Sequence, residues 1–236
     1  MVAPPTAMHS VRLAPLAPGE RIEVALDFPA ERATAGALVC SPQPFLGGDL
    51  DNNVTRAVAR ALAAAGAPVL RFNYRAVGKS RDVDPSRARF DWWRDVEARG
   101  DRAAVAEDAR EAFARASRWF EVTTVVGYSF GASVALDLAL GAAPRATLVL
   151  VGPPFGKIDF TALADHAGRA AVVVAGADEL DPAPPRDALV ARFPSAEITV
   201  FAGADHFFRG REDEVAEHVA RFARAGVGAP GAGARR

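Results

Sequence analysis

A serine lies at the centre of the segment Gly127-Tyr128-Ser129-Phe130-Gly131. An apolar, strand-like run at residues 122–126 precedes this segment, and a helix-like run at residues 132–140 follows it. A strand, a sharp turn and a helix with a serine at the apex form a nucleophile elbow. The glycines allow strand and helix to approach closely, which pushes the hydroxyl out above the sheet edge. We therefore predict that Ser129 is a nucleophile, the alternative being an ordinary turn with an N-capping serine.

A serine hydroxyl is a poor nucleophile at neutral pH and needs a histidine base that a carboxylate orients. In chains with such an elbow, the acid and then the histidine follow the serine. His206 lies between the last predicted strand and the final predicted helix, within reach of the elbow. It is the predicted base, the alternative being a histidine that caps the next helix. His166 could line the pocket mouth, and His218 is interpreted as a surface residue of a helix.

Three carboxylates follow the strand that precedes the histidine loop. Asp178 comes first after this strand and is the predicted acid, with a turn residue or helix cap as the alternative. Asp181 is the competitor, and Glu179 is the third choice. Asp205 is adjacent to His206 and is interpreted as a loop-forming residue, since neighbouring side chains rarely point at each other.

The oxyanion of an acyl-transfer intermediate needs two preorganised N–H donors. We expect the amide of Phe130, directly after the nucleophile, to be one of them. The second should come from the loop at residues 41–48, in which two prolines lack an N–H. The remaining candidates are the amides of Phe45, which we prefer, and Gln43.

A pair of tryptophans, Trp92 and Trp93, lies in a charged stretch at residues 81–102. One interpretation is a short lid whose aromatic side chains cover the acyl pocket. The other is a surface helix whose tryptophans pack on the domain, and the two have equal weight. Together with Tyr128 and Phe207, these tryptophans are the candidates for lining the substrate pocket.

The elements that must position these residues alternate along the chain. Continuous apolar runs, typical of strands buried on both faces of a parallel sheet, lie at residues 37–40, 69–72, 122–126, 147–151, 171–174 and 198–201. Apolar residues with helical spacing occur at residues 53–65, 104–120, 132–140, 186–193 and 212–225. Residues 21–28 alternate in polarity, which predicts a half-exposed antiparallel strand. We predict an α/β fold with a mostly parallel sheet, helices on both faces, and ligands beyond the carboxyl ends of the strands.

Length and composition predict one globular domain. The chain has 236 residues, half of them hydrophobic, which we divide into an N-terminal extension (1–19), a domain (20–225) and a flexible tail (226–236). A net charge of -1 gives no reason to expect nucleic acid or an anionic membrane as partner. Without a membrane span or signal peptide in the sequence, we expect a cytoplasmic protein. The single Cys40 excludes an internal disulfide and a thiolate zinc cluster.

The elbow with Asp178 and His206 resembles the α/β-hydrolase superfamily. Four segments are similar to a small bacterial branch of serine hydrolases with a short cap or none, related to the dienelactone hydrolases. They lie at residues 44–53, 70–80, 127–131 and 203–208. The branch usually has His-Pro-His-Pro where this chain has Ser41-Pro42-Gln43-Pro44, so both histidines are missing from the oxyanion loop. Dienelactone hydrolases use a cysteine where this chain has Ser129, so their substrate is not implied.

The residues and the resemblance together predict a serine hydrolase that cleaves a carboxylic ester or thioester through an acyl-enzyme on Ser129. No metal or cofactor is expected. One alternative is a thioesterase-like or cyclising enzyme of a biosynthetic pathway, acting on a carrier-bound or polyketide-type acyl substrate. A second alternative is a non-catalytic binding protein on the same fold. The expected partner is a small-molecule acyl substrate and not nucleic acid or a membrane. The sequence leaves open whether the protein forms a homodimer.

Overall fold

An eight-stranded sheet forms the centre of the computed structural model, which describes residues 9–15, 17–81, 86, 88–100 and 102–227. The strands are β1 (His9–Leu13), β2 (Val24–Phe28), β3 (Ala35–Cys40), β4 (Val69–Phe72), β5 (Glu121–Tyr128), β6 (Thr147–Val151), β7 (Ala170–Ala175) and β8 (Ala196–Phe201). Their order is β1-β2-β4-β3-β5-β6-β7-β8. The pairs β1–β2 and β2–β4 are antiparallel, and all other neighbours are parallel. The predicted mostly parallel sheet is confirmed.

In the described part of the chain, six α-helices cover the two faces of this sheet. They are α1 (Asn53–Ala64), α2 (Arg89–Arg99), α3 (Ala103–Ala116), α4 (Phe130–Gly141), α5 (Arg186–Arg192) and α6 (Glu212–Val227). Helices α1 and α6 bury their apolar residues in one core cluster, and α2 to α5 contribute to the other. Helix α1 begins where it does because the Asn52 side chain accepts hydrogen bonds from the amides of Val54 and Thr55. Helices therefore lie on both faces of the sheet, as predicted.

The antiparallel edge of the sheet differs from the sequence prediction. The sequence predicts no strand within residues 1–19, yet β1 pairs with β2 along its whole length. The strand predicted at residues 21–28 was expected to be half-exposed, but β2 is almost entirely buried. The reason is that β1 covers its edge, and Arg71 pairs with the Asp27 carboxylate at 2.8 Å. Residues 1–8 of the predicted extension and residues 228–236 of the predicted tail lie outside the described residues.

A closed polar cluster lies after β4, at the carboxyl end of the strand. We call Glu23, Asn73 and Ser80 the Asn73 network. The Asn73 side chain accepts a hydrogen bond from the Leu50 amide (2.7 Å) and donates one to Glu23 (2.8 Å). Ser80 donates to the Asn73 carbonyl oxygen (2.9 Å) and accepts from the Glu23 amide (2.8 Å). Gly78 has a φ of 57°, and a Cβ at this position would collide with Asn73 and Glu23. Residues 70–80 therefore cover the carboxyl end of β4 with buried polar side chains that all have hydrogen-bond partners.

Two expectations from composition concern the rest of the molecule. Cys40 is fully buried at the end of β3, and burial raises the pKa of its thiol. This environment is that of a small core residue and not of a reactive thiolate. Within the described ranges, none of the helices has the length and apolar character that crossing a membrane requires.

Candidate active site

Ser129 occupies a strained turn between β5 and α4. Its φ is 52° and its ψ is -121°, and its amide donates a hydrogen bond to the Val151 carbonyl (2.8 Å). A Cβ on Gly127 would collide with the Gly131 carbonyl, and one on Gly131 would collide with the Cys40 carbonyl. A positive φ in a residue with a side chain costs of order 1–3 kcal/mol. The turn therefore has the close approach and the strain that the sequence predicts for residues 127–131.

Ser129, His206 and Asp178, which we call the triad cluster, form a continuous chain of contacts. The Ser129 Oγ lies 3.0 Å from His206 Nε2, and His206 Nδ1 lies 2.6 Å from Asp178 Oδ2. The side chains of His206 and Asp178 are only 7% and 6% exposed. With Asp178 ionised, the neutral imidazole carries its proton on Nδ1, and the Nε2 lone pair faces the serine hydroxyl. A general base that acts on a serine needs this arrangement.

The turn after β7 determines which carboxylate faces the histidine. Asp178 Oδ1 accepts hydrogen bonds from the amides of Leu180 and Asp181, both at 3.0 Å, which leaves Oδ2 for His206. The Asp181 carboxylate instead accepts a hydrogen bond from the Gly156 amide at 3.2 Å. Glu179 is exposed. Of the three carboxylates considered, the structure brings Asp178 to the histidine.

The other residues weighed as alternatives lie elsewhere. His166 Nε2 donates to the Ala146 carbonyl (2.9 Å), just before β6, so it lies at the amino ends of the strands and not at the pocket mouth. His218 lies on α6, where burial and the neighbouring Arg221 lower the pKa of its imidazole. Asp205 accepts hydrogen bonds from the amide and side chain of Arg209, which supports its interpretation as a loop-forming residue.

A cavity of about 630 Å³ opens beside the serine and histidine. Its apolar wall comes from four parts of the chain and includes Trp93, Val96, Phe130, Ile158 and Leu180. Charged side chains, among them Arg102, Lys157 and Asp159, also line it. Trp93 and Phe130 are candidates from the sequence, but the lining residues in the loops after β6 and β7 are not, because these loops carry no periodic pattern. The volume is in the range of small-molecule sites.

The loop after β3 places the candidates for the second oxyanion donor differently from the prediction. Gln43 lines the cavity together with Ser129 and Phe130. Phe45, which we preferred, lies in a 3₁₀ turn at Pro44–Leu46 and stacks on the exposed Phe90 at a centroid distance of 5.4 Å. In the described part of the chain, the amides of Gln43 and Phe130 have no acceptor. Gln43 is therefore the better-placed of the two loop candidates.

Of the four pocket candidates, Trp93 lines the cavity and the other three do not. Trp93 is 2% exposed and packs α2 onto the domain, so this helix is at once packed and part of the cavity wall. The ring of Trp92 packs perpendicular to that of Trp93, with a centroid distance of 4.9 Å, and does not line the cavity. Phe207 contacts the edge of the His206 ring from outside the cavity. Tyr128 lies in the core cluster of α1 and α6, on the other face of the sheet. Successive residues of a strand point to opposite faces of the sheet. The sequence alone could therefore have placed Tyr128 and Ser129 on opposite faces.

In the ranges the structure describes, no three His, Cys, Asp or Glu side chains are grouped so that they could hold a metal ion. The groups next to Ser129 are a histidine, a carboxylate and backbone amides, which suit proton transfer and anion stabilisation.

Known proteins resemble this chain over most of its length. The model of the dienelactone hydrolase family matches residues 45–226, a range that contains the triad cluster. The structure of an α/β serine hydrolase homologue from Coxiella burnetii is 27% identical, with a TM-score of 0.74, and covers 89% of this chain and 96% of that chain. An α/β serine hydrolase without lid from Xanthomonas campestris is 29% identical, with a TM-score of 0.67 and coverages of 96% and 98%. An uncharacterised protein of Rickettsia prowazekii is 27% identical over 200 residues, which are 78% of this chain and 76% of that protein.

Proposed function

Because the chain belongs to the dienelactone hydrolase family, we propose that it is a serine hydrolase that cleaves a carboxylic ester or thioester through an acyl-enzyme on Ser129. One observation carries this proposal. The hydrogen-bonded chain from Ser129 through His206 to Asp178 ends at a cavity of about 630 Å³. A nucleophile, its base and an orienting carboxylate are thus aligned beside space for a substrate.

In the acylation step, Ser129 Oγ bonds to the acyl carbon while its proton moves to His206 Nε2. The carbonyl electron pair moves to the oxygen, and the amides of Phe130 and Gln43 are the proposed donors that stabilise this oxyanion. Asp178 stabilises the imidazolium that forms. The intermediate then expels the alcohol or thiol, which takes the proton from His206.

In the deacylation step, a water molecule enters the position that the leaving group has vacated. His206 Nε2 accepts a proton from the water as its oxygen attacks the acyl carbon. In the second tetrahedral intermediate the oxyanion electron pair re-forms the carbonyl, the bond to Ser129 Oγ breaks, and His206 Nε2 returns its proton to Ser129 Oγ. The carboxylic acid then leaves, and the free enzyme is restored. These steps need only protein groups and water.

We propose esters and thioesters as the substrate class because their alcohols and thiols leave more readily than the amine of an amide. One imidazolium is the proposed acid, and these leaving groups need the least help from it. The apolar wall with Trp93, Ile158 and Leu180 suits an acyl group that buries hydrocarbon surface. Since Ser129 stands where dienelactone hydrolases have cysteine, we do not propose dienelactone as the substrate.

A fluorophosphonate probe tests this proposal directly. The probe phosphonylates serines that a neighbouring base activates, so the pure protein should carry one adduct, and peptide mapping should locate it on Ser129. Ser129→Ala is the control and should stay unlabelled. Ser133→Ala is a matched control, because Ser133 lies one helical turn further along and donates to the Phe130 carbonyl; it should label like the wild type. Folded wild-type protein that stays unlabelled would contradict the proposal.

A further inference from the structure

The tyrosine of the elbow makes a contact that the reaction steps above do not use. Tyr128 is 2% exposed, and its hydroxyl donates a hydrogen bond to the carbonyl oxygen of His206 at 2.9 Å. Tyr128 is the last residue of β5 and directly precedes Ser129. The elbow is therefore joined to the histidine twice, once through the Ser129 hydroxyl and once through the backbone of His206.

The histidine loop connects β8 to α6, and its other hydrogen bonds lie on either side of His206. The Ala177 amide donates to the Ala204 carbonyl (2.8 Å), Asn53 Nδ2 donates to the Phe207 carbonyl (3.4 Å), and within the loop the Phe208 amide donates to the Asp205 carbonyl (3.0 Å). Among the described residues, no donor other than Tyr128 binds the His206 carbonyl. Phe208 has a φ of 50° and packs fully buried against the Tyr128 ring, at a centroid distance of 6.3 Å. The tyrosine thus supports the loop by its ring and holds His206 by its hydroxyl.

We infer that Tyr128 is a positioning residue. By holding the His206 carbonyl, its hydroxyl keeps the imidazole of His206 within hydrogen-bonding distance of the Ser129 hydroxyl. This inference rests on the proposed function, because it assigns Tyr128 a part in that reaction. Tyr128 does not line the cavity, so it acts through His206 and not on the substrate. Burial raises the pKa of its phenol, so the hydroxyl stays a donor throughout the working pH range.

The sequence contains a matched control for this hydroxyl. Tyr74 is the other tyrosine of the chain, is also fully buried, and also donates to a backbone carbonyl, that of Ser41, at 3.0 Å. Tyr74→Phe and Tyr128→Phe each remove one buried hydroxyl without changing the packing of the ring. Both should lower the unfolding temperature by a similar amount. Because Ser41 belongs to the loop that contains Gln43, the two variants are compared by the His206 resonance and not by kcat, and a difference in that resonance reports on His206 and not on stability.

The test combines kinetics and proton NMR well below the unfolding temperature. With a p-nitrophenyl ester as substrate, Tyr128→Phe should lower kcat about 10-fold, because a small displacement of the base slows proton transfer. Its KM should stay within about twofold of the wild type, since no contact with the substrate is lost. The downfield resonance of the His206 Nδ1 proton should broaden in Tyr128→Phe and stay sharp in Tyr74→Phe.

Two results would overturn the inference: a Tyr128→Phe protein with wild-type kcat, or an unchanged His206 resonance. Failure of the proposed function is distinguishable, because the wild type itself would then neither hydrolyse esters nor react with the fluorophosphonate. If Tyr128→Phe does not fold, the wild type supplies the test. The Tyr128 hydroxyl proton should exchange slowly with solvent, and rapid exchange would overturn the inference.

Discussion

Two buried polar clusters lie at the carboxyl edge of the sheet, the triad cluster after β5, β7 and β8 and the Asn73 network after β4. Both contain short hydrogen bonds between side chains from distant parts of the chain. They differ in what they face. Ser129 and His206 line the cavity, whereas no member of the Asn73 network does.

The two clusters also differ in how the backbone is strained. In the Asn73 network, the crowded position with a φ of 57° is Gly78, which has no side chain to oppose that conformation. In the triad cluster, a φ of 52° is imposed on Ser129, a residue with a Cβ. Polar groups that are fully paired stabilise a fold, and strain at a residue beside a cavity points to chemistry. Substitutions in the two clusters should therefore affect different quantities, activity in one and stability in the other.

The largest expected effect is on activity, at the carboxylate of the triad cluster. Asp178→Asn should lower kcat about 10⁴-fold, because an amide favours the wrong tautomer of His206. Asp181→Asn is the matched control, because Asp181 lies in the same turn but its carboxylate accepts a hydrogen bond from the Gly156 amide. It should lower kcat less than about tenfold. Steady-state kinetics of both variants on one ester measure these losses of kcat. A large loss in Asp181→Asn and a small loss in Asp178→Asn would make Asp181 the acid.

The next effect is on stability, in the Asn73 network. Asn73→Ala leaves the Leu50 amide and the Glu23 carboxylate without this partner, so the free energy of unfolding should fall by about 3 kcal/mol. The kcat of the folded protein should change less than about twofold. The control is Asn53→Ala, which removes an exposed bond to Glu212 and should change stability by less than about 0.5 kcal/mol. Urea unfolding measures the stability of both variants. If Asn73→Ala lost activity without losing stability, the two clusters would not differ in the way proposed.

A smaller effect should separate strain from chemistry at Ser129 itself. Ser129→Gly and Ser129→Ala should both be inactive, but the glycine variant should be more stable by about 1 kcal/mol, because glycine tolerates a φ of 52°. Inside α4 the order should reverse, with Ser133→Gly less stable than Ser133→Ala by about 1 kcal/mol. Thermal unfolding compares the four variants. An alanine variant at 129 as stable as the glycine variant would show that the turn is not strained.

The smallest effect lies outside both clusters, at His218. Burial and Arg221 lower its pKa in the folded state, so the folded protein binds this proton less readily than the unfolded chain does. The contribution to stability is therefore complete above the unfolded pKa of about 6.5 and decreases as the pH falls through the folded pKa. His218→Gln should therefore reduce the loss of stability on acidification. Urea unfolding at pH 7.5 and about pH 5 measures this, and equal acid sensitivity of both proteins would contradict it.

The sequence predicted the parallel part of the sheet and its helices well, because continuous apolar runs and helical spacing are local patterns. It missed β1, a short strand whose residues are mostly exposed and therefore show no alternation of polarity. For residues 73–80, which follow the predicted strand at 69–72, it gave only a family resemblance. The role of that segment depends on Glu23 and Leu50, which are distant in the sequence and meet Asn73 only in the fold.

The site was predictable where one residue type was scarce. Few histidines follow Ser129 in the chain, so the choice of His206 was narrow. The choice between Asp178 and Asp181 needed the turn geometry, in which two amides hold the Asp178 carboxylate. The cavity wall from α2 and the loops after β6 and β7 depends on loop paths, which sequence patterns do not specify.

The most direct test of the proposed reaction is to trap the acyl-enzyme. The protein is mixed with p-nitrophenyl acetate, quenched in acid within the first turnovers, digested and analysed by mass spectrometry. We predict a stoichiometric burst of p-nitrophenolate and one acetyl group on the peptide that contains Ser129, both absent from Ser129→Ala. Steady ester hydrolysis that leaves Ser129 unacetylated, or that persists in Ser129→Ala, would contradict nucleophilic catalysis by this serine.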